Sequence, residues 1–299
     1  MAFLTIFTPS YNRANTLIRT YKSLQQQTCR DFEWIIIDDG STDNTNEIVN
    51  KWIGDKNDFK IEYFYKENGG LHTGYNLAIE KMHDSVLAVC IDSDDYMPSN
   101  AVELIKRKWL NDGSPEYGGI IGLDYDINHK LIGGLLPEVK SISLIKFLFG
   151  HYHIKPGDKK IVCRTCLYKS VAPMKVFPGE KNYNPHCMHL EIGKKYEFLV
   201  LNEEICTVEY QSGGMTANQL KQYYNSPNSF IEIRNLYLSL PNKEMKFIIR
   251  YYIHLIAESL LAKRYIEIFK SKNIFYMLLC TFPGIILYYY IKHKVKNIR

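Results

Sequence analysis

Four short apolar runs, each ending in a polar loop and separated from the next by a stretch with helical spacing, set the architecture of the first third of this chain. Phe3 to Thr8, Trp34 to Ile37, Ile61 to Tyr65 and Val86 to Ile91 are compact and rich in β-branched or aromatic residues, the composition of strands. Ala14 to Gln27 repeats apolar residues at Leu17, Ile18, Tyr21 and Leu24, and helices are also expected over Asn44 to Ile53 and Thr73 to Met82. This alternation predicts an α/β architecture with a mostly parallel central sheet buried on both faces by helices. Ligands of such sheets bind at the carboxyl ends of the strands. That rule gathers "TPSYNR", "DDGSTDNT", "ENGGLHTGYN" and "DSDD" along one edge.

The last of these loops carries the strongest chemistry. In "VLAVCIDSDDY" a buried-strand pattern ends in Asp92, Asp94 and Asp95, three carboxylates within four residues. Like charges this close raise one another's pKa unless a cation or a set of donors compensates them, so a positive partner is expected. The plainer alternative is a capping loop for a helix starting near Ser99. In "DDGSTDNT", Gly40 permits a tight turn, Ser41 and Thr42 satisfy local amides, and Asp43 or Asn44 caps the next helix. Asp38 and Asp39 are left without a capping role. From Asn68 to Asn76, two glycines precede a helix N-terminus, where free amides and the helix dipole favour phosphate, and His72 stands at that entrance. The loop lacks the Lys-Ser/Thr pair of a P-loop, and "TPSYNR" lacks the spaced glycines of a dinucleotide fingerprint.

With 299 residues, 46% of them hydrophobic, the chain can bury a sizeable core. A net charge of +5 without a basic arm argues against a nucleic-acid partner. Seven cysteines, an odd number without framework spacing, read as reduced thiols of a cytosolic protein. "MAFLTIFTPSYN" carries no basic n-region or cleavage site, so no secretory signal is expected. Cys163 and Cys166, with Cys187 and His189, invite a zinc site. "KIVCRTCLY" reads as a strand, however, where residues three apart face opposite sides, and buried thiols are the better reading. The 23 tyrosines are assigned mostly to packing in the C-terminal helices.

Taken together, "TPSYNR", "IIIDDGSTDNT", "ENGGLHTGYNLAIE" and "CIDSDD", in this order and spacing, resemble the family 2 inverting glycosyltransferases with a GT-A fold. The resemblance implies that the loop from Thr8 through Pro9 to Tyr11, with the Asp39 carboxylate, holds the nucleotide base. It implies that Asp92 and Asp94, flanking Ser93, meet the ribose and a metal-bound diphosphate. Arg13, Lys66, Gly70, His72 and Asn76 complete the expected donor site. The positive partner of the aspartates is then a divalent cofactor, Mn²⁺ or Mg²⁺, held by Asp94. An ionised Asp39 accepting the imide N–H of uracil makes a UDP-sugar the expected donor.

An inverting transfer also needs a general base opposite the leaving group. Relatives place this carboxylate in a loop before a helix in the second half, which here reads "VFPGEKNYNPHCMHLEIGKKYEFLVLNEE". Glu180, after Pro178 and Gly179, is the favoured candidate. A carboxylate that relatives carry a few residues further on is replaced by "NPH", which makes His186 the alternative. Glu191 is expected to be an exposed helical residue, and Glu203 and Glu204 to lie in a loop or strand edge.

Further along, Tyr117 to Tyr125 and Ile161 to Tyr168 read as strands and Ser143 to Phe149 as a short helix. "EYQSGGMT", Glu209 to Thr216, resembles the segment that closes the family's catalytic domain. Phe230 to Leu240 and Met245 to Phe269 read as amphipathic helices. Three regions follow: 1–98, the nucleotide-sugar-binding half; 99–216, the acceptor-binding half; and 217–299, a helical C-terminal extension. Ile274 to Ile291 has no charged residue and is flanked by Lys270 and Lys272 on one side and Lys292, Lys294, Lys296 and Arg299 on the other. A span of about eighteen residues is marginal for crossing a bilayer. With Pro283 and Gly284 in its middle, it is expected as a kinked segment in the interface of an anionic cytoplasmic leaflet, a buried helix or homodimer contact being the alternative.

The sequence therefore predicts a metal-dependent, inverting glycosyltransferase. It would move a sugar from a UDP-sugar to a glycan or lipid-linked acceptor in surface polysaccharide synthesis, at the inner face of the plasma membrane. A nucleotidyltransferase is disfavoured by the lack of a basic triphosphate loop near the first strand. A nucleotide-sugar-binding subunit without its own base is the other alternative, raised by "NPH".

Overall fold

The computed structural model describes residues 2–209, 218–269 and 273–296. The chain begins β1 (Leu4–Ser10), α1 (Ala14–Gln25), β2 (Phe32–Asp38), α2 (Thr45–Gly54), β3 (Lys60–Tyr65), α3 (Leu71–Lys81), β4 (Leu87–Cys90) and α4 (Ala101–Asp112). Next come β5 (Tyr117–Asp126), β6 (Ser141–Ile142), α5 (Leu144–Leu148), β7 (Lys159–Arg164), α6 (Thr165–Val171), α7 (His186–Gly193) and β8 (Glu197–Val208). Helices α8 (Gln219–Asn225), α9 (Pro227–Ser239), α10 (Met245–Leu261), α11 (Ile266–Phe269) and α12 (Ile274–Lys296) complete it.

The strands form one sheet in the order β3-β2-β1-β4-β7-β5-β8-β6. β1 runs parallel to both β2 and β4, and β2 parallel to β3, as the alternation of strands and helices predicts. Beyond β4 the sheet is mixed: β7 is antiparallel to β4 and β5, β8 is parallel to β5, and β6 is antiparallel to β8. Successive connections leave β1 toward β2 and β3, then cross to β4 on its other side. The carboxyl ends of β1 and β4 therefore flank a topological switch point, where open α/β sheets bind their ligands. Every position of β1, β2 and β4 is buried, consistent with helical cover on both faces. Trp34, Ile6, Leu17 and Leu24 lie fully buried in the core, each large side chain there stabilising the fold by roughly 1.5–3 kcal/mol.

The chain divides into two compact units. One, Met1–Met174 with Met188–Tyr210, holds the sheet. The other comprises Lys175–Cys187 and Gln211–Arg299. Its helices enclose Ile231, Tyr252, Leu255, Ile256 and Cys280, together with a buried ion pair, Arg234 Nη2 to Glu258 Oε1 at 3.0 Å. The segment 175–187, read from sequence as part of the acceptor half, goes by its contacts with the C-terminal helices.

Three local expectations change. The strand expected over Ile161 to Tyr168 stops at Arg164, which pairs with Leu87, the first residue of β4; no ladder partner lies beyond it and the chain turns into α6. The long helix expected over Met245 to Phe269 ends at Leu261, because Lys263 takes a left-handed conformation (φ 56°) and the Arg264 amide folds back to the Ser259 carbonyl. Conversely, Pro283 and Gly284 do not interrupt α12, which is continuous. Gly284 is buried against α10, where a Cβ would come within 2.6 Å of Ile256 Cγ2. Close packing of the two helices outweighs the missing Pro283 hydrogen bond. Cys163 is buried on β7 and Cys166 exposed on α6, so the two thiols do not converge, and the seven cysteines form no disulfide.

Candidate active site

The loops after β1 and β2 are laced together. Asn12, in the left-handed region (φ 52°), donates its amide to Ser41 Oγ at 2.9 Å and accepts the Thr42 amide at 2.8 Å. Asp43 accepts the first amides of both α1 and α2, Ala14 and Thr45, each at 3.1 Å, so the capping falls to Asp43. Asp38 accepts from the Ser41 amide at 2.7 Å and the Tyr63 hydroxyl at 2.6 Å. Burial, then the Asp38 carboxylate, pushes the Tyr63 phenol well above its ordinary range. Gly40, at φ 84°, passes so close to the third loop that a Cβ would lie 2.7 Å from the Asn68 nitrogen.

Asp39 organises that third loop. Its carboxylate accepts from Lys66 Nζ at 2.5 Å, the Gly69 amide at 2.9 Å and the Gly70 amide at 2.8 Å, and its carbonyl accepts from Asn68 Nδ2 at 2.8 Å. The glycine amides expected to meet phosphate are thus donated to a carboxylate of the chain itself. Gly70 precedes α3 at φ 92°. His72 is fully buried in the first turn of α3 rather than at an open entrance. Asn76 donates to the Met174 carbonyl at 2.9 Å and accepts its amide at 2.8 Å, so both ends of the amide fasten α3 to the segment after α6. Thr8 is fully buried and its hydroxyl accepts from Trp34 Nε1 at 2.9 Å. The side chains of Thr8 and Asn76 and the amide of Gly70 are therefore engaged within the fold, and His72 is buried in it, so these residues build the edge. Pro9 is buried under Gly74, while Tyr11 is exposed and Arg13 half-buried.

At the end of β4, Asp92 and Asp94 are half-buried and Ser93 is buried. Burial, then the neighbouring Asp92, pushes Asp94 above the usual carboxylate range, with Arg13 and Arg19 pulling the other way. Asp95 is buried, and burial raises it to about 7 despite Lys160, whose ammonium lies 3.4 Å away. Asp124 on β5 is buried as well and pushed up to about 6, first by burial, and its Oδ1 has no hydrogen-bond partner among the described residues. Burial opposes the charge on Lys160, but Cys206, Asp124, Asp95 and Asp92 outweigh it and hold the ammonium well above its ordinary value. Arg19 forms an ion pair with Glu209, whose amide donates to Asp95 at 3.3 Å.

Helix α1 holds the same loop in place. Thr20 donates to the Asp95 carbonyl at 2.8 Å, Ser23 accepts the Met97 amide at 3.2 Å, and Gln27 donates to the Pro98 carbonyl at 2.7 Å. Lys160, Arg13 and Arg19 supply positive charge beside the aspartates within the protein itself. The loop's own helix-capping reading accounts for none of this.

Two half-buried carboxylates on one turn suit a hard divalent cation that takes its remaining ligands from phosphate and water. Among the described residues, Glu33, Glu62 and His83 bring ligand atoms within 4.8 Å of one another at the other end of the sheet. There Lys60 lies 3.0 Å from both Glu62 and His83, so an ammonium already compensates the cluster.

In the helical unit, Glu180 Oε1 accepts from the Asn228 amide (2.8 Å) and Nδ2 (2.7 Å), and Oε2 from the Ser229 amide (2.8 Å) and Oγ (2.7 Å). These amides belong to the first turn of α9, whose Pro227 has none to give. Glu180 thus caps α9, with its four acceptor positions filled. His186 is the first residue of α7, its amide held by Asn184 Oδ1 at 2.9 Å. Glu191 is exposed on α7, and Glu203 and Glu204 lie on β8. Of "EYQSGGMT", only Glu209 falls within the described residues.

The family described as Glycosyl transferase family 2 matches residues 5–166, more than half of the chain and all four loops. The chain belongs to that family. Chondroitin synthase and hyaluronan synthase of Pasteurella multocida are each 38% identical to it over 109 residues, 36% of this chain and 11% of theirs. It therefore spans about a tenth of the length of these curated relatives. Among solved structures, S. aureus TarS 1–349 in complex with UDP-GlcNAc superimposes with a TM-score of 0.60 at 18% identity, covering 87% of this chain and 73% of that one. The mannosyltransferase PcManGT of Pyrobaculum calidifontis, in complex with GDP-Man and Mn²⁺, gives 0.55 at 16% identity, covering 98% and 83%. At these identities the likeness is one of fold, and the fold is GT-A.

Proposed function

We propose that this family 2 protein transfers a sugar, with inversion, from a UDP-sugar to a glycan or lipid-linked acceptor in surface polysaccharide synthesis, working peripherally at the cytoplasmic face of the plasma membrane. The observation that carries the reading is the Asp92–Asp94 turn, packed at the β1/β4 switch point beside Arg13 and Arg19. Asp94, with Asp92 beside it, would hold Mn²⁺ or Mg²⁺, which when bound neutralises the departing diphosphate as a Lewis acid. Asp92 also takes the ribose. Tyr11, exposed on the β1 loop, offers its ring to the base. Asp39 stands beside the base with Lys66, the uracil imide taking the place of one of its present donors.

For the proton acceptor the balance moves from Glu180 to His186. The four hydrogen bonds to Glu180 commit its carboxylate to α9 and fill the positions an acceptor hydroxyl would need. His186, at the start of α7, is the remaining candidate in the segment, and an imidazole can accept a proton at neutral pH. The capping role of Glu180 also favours a second reading, a donor-binding subunit without its own base.

Thermal shift against a panel of nucleotide sugars, with and without Mn²⁺, followed by UDP release in the presence of acceptor glycans, tests the proposal. Mn²⁺-dependent stabilisation by UDP-sugars with acceptor-dependent UDP release supports transfer. Stabilisation without release supports the binding-subunit reading, and no response to any nucleotide sugar refutes both.

A further inference from the structure

Helix α12 is apolar on two sides. One side, Met277, Cys280, Gly284, Ile291 and Val295, is buried. The fit to α10 is close, since Gly284 leaves no room for a side chain against Ile256. The other side, Phe275, Leu278, Phe282, Ile286 and Tyr289, repeats every three or four residues and is open to solvent. Phe282 is 71% exposed, Phe275 68% and Leu278 66%. A contiguous stripe of large apolar side chains at this exposure marks an interaction surface. Exposed Tyr290 and the basic last turn, His293, Lys294 and Lys296, finish it, with Lys294 lying over the Tyr290 ring at 5.8 Å.

We propose that this face of α12 docks in the plane of an anionic lipid surface, its apolar stripe among the acyl chains and its lysines at the headgroups. This deepens the membrane-peripheral reading above and rests on it only for the choice of leaflet. By length and composition α12 is also sufficient to span a bilayer. A spanning α12 would carry its packing partner α10 into the hydrocarbon with it. α10 bears Lys246, Arg250, His254 and Glu258, groups too costly to desolvate there. Lying flat, with one side on α10 and the other in the interface, satisfies both faces.

A second copy of the chain is the poorer occupant for an electrostatic reason. From Ile268 to Arg299 there is no Asp or Glu, against six Lys or Arg. Pairing this face with itself would bring together only like charges, whereas anionic headgroups complement them.

The test uses the full chain and co-sedimentation with phosphatidylcholine vesicles, with and without phosphatidylglycerol. Wild type is expected to bind the mixed vesicles, to release in high salt, and to be extracted by alkaline carbonate. A triple variant Leu278→Glu, Phe282→Glu, Ile286→Glu should lose binding. A second, Lys292→Gln, Lys294→Gln, Lys296→Gln, leaves the apolar face intact and should bind on the order of 100-fold more weakly, at an unchanged melting temperature. Three outcomes would overturn the proposal: equal vesicle binding by wild type and the lysine variant, resistance of the bound wild type to carbonate, or a solution dimer that the glutamate variant converts to monomer. UDP binding, measured on the same samples without vesicles, reports on the catalytic reading separately.

Discussion

The Lys160 ammonium lies 3.4 Å from the Asp95 carboxylate, next in sequence to the D-x-D pair, and both side chains are almost wholly buried. Lys160 reaches the loop from β7 and offsets the charge of Asp95, Asp124 and Asp92. Removing one partner of a buried pair typically destabilises by about 3–5 kcal/mol. Lys160→Met should therefore lower the melting temperature, and more at pH 8 than at pH 6, because the orphaned carboxylates can take up protons at the lower pH. Lys160→Arg, which keeps the charge, should retain most of the stability. A melting temperature unchanged in Lys160→Met at pH 8 would show that the ammonium does not hold this loop.

Asp124 gives a pH signature of its own. Folded, it keeps its proton up to about pH 6, whereas the unfolded chain releases it near 3.8. The folded state thus binds more protons in that window, and this group's contribution to stability falls as pH rises through it. Asp124→Asn fixes the neutral form. Its stability relative to wild type should grow between about pH 4 and about pH 7, by on the order of 3 kcal/mol. Denaturant melts of both proteins across that range check it, and a pH-independent difference would contradict the assignment.

How far the sequence reached follows from the kind of interaction involved. The parallel half of the sheet was legible because each strand there is a local apolar run, and the four loops were legible because the strand ends place them. Lys160 was not, since "DKKIVC" shows only a lysine before a strand, and its burial against Asp95 depends on β7 lying between β4 and β5. Asp39 was expected as a site residue, but its engagement with Gly69 and Gly70 joins residues about thirty positions apart. Glu180 illustrates the same limit: the segment around it read as a catalytic loop, while its partners on α9 lie far along the chain. Gly284 was read as a helix breaker because α10, the neighbour that requires it, is invisible to local pattern.

Asp39 should matter to stability as well as to donor binding. Asp39→Asn loses the ion pair with Lys66 and cannot accept from both glycine amides at once. A charge-assisted bond of this kind is worth roughly 1.5–3 kcal/mol. The variant is expected to melt earlier and to bind UDP more weakly. Weaker UDP binding with an unchanged melting temperature would confine Asp39 to the base contact.

Glu180 and His186 are separable by what each variant disturbs. Glu180→Gln places an N–H₂ against donors on α9 and should lower the melting temperature, by about 1–3 kcal/mol in stability. His186→Ala should leave donor binding nearly unchanged, reduce transfer by roughly 100-fold, and remove from the pH–rate profile the limb that the imidazole gives the wild type. Full transfer in His186→Ala, with loss of transfer but no loss of stability in Glu180→Gln, would return the base to Glu180.

The central claim is that Asp94 holds the divalent ion that binds the nucleotide diphosphate. Calorimetric titration of UDP into wild type and Asp94→Ala, each with Mn²⁺ and with EDTA, tests it most directly. Wild type should bind UDP at least about tenfold more tightly with Mn²⁺, a difference of about 1.4 kcal/mol. Asp94→Ala should lose that difference while keeping its melting temperature. An Asp94→Ala protein that still binds UDP more tightly with Mn²⁺ than with EDTA would contradict the assignment.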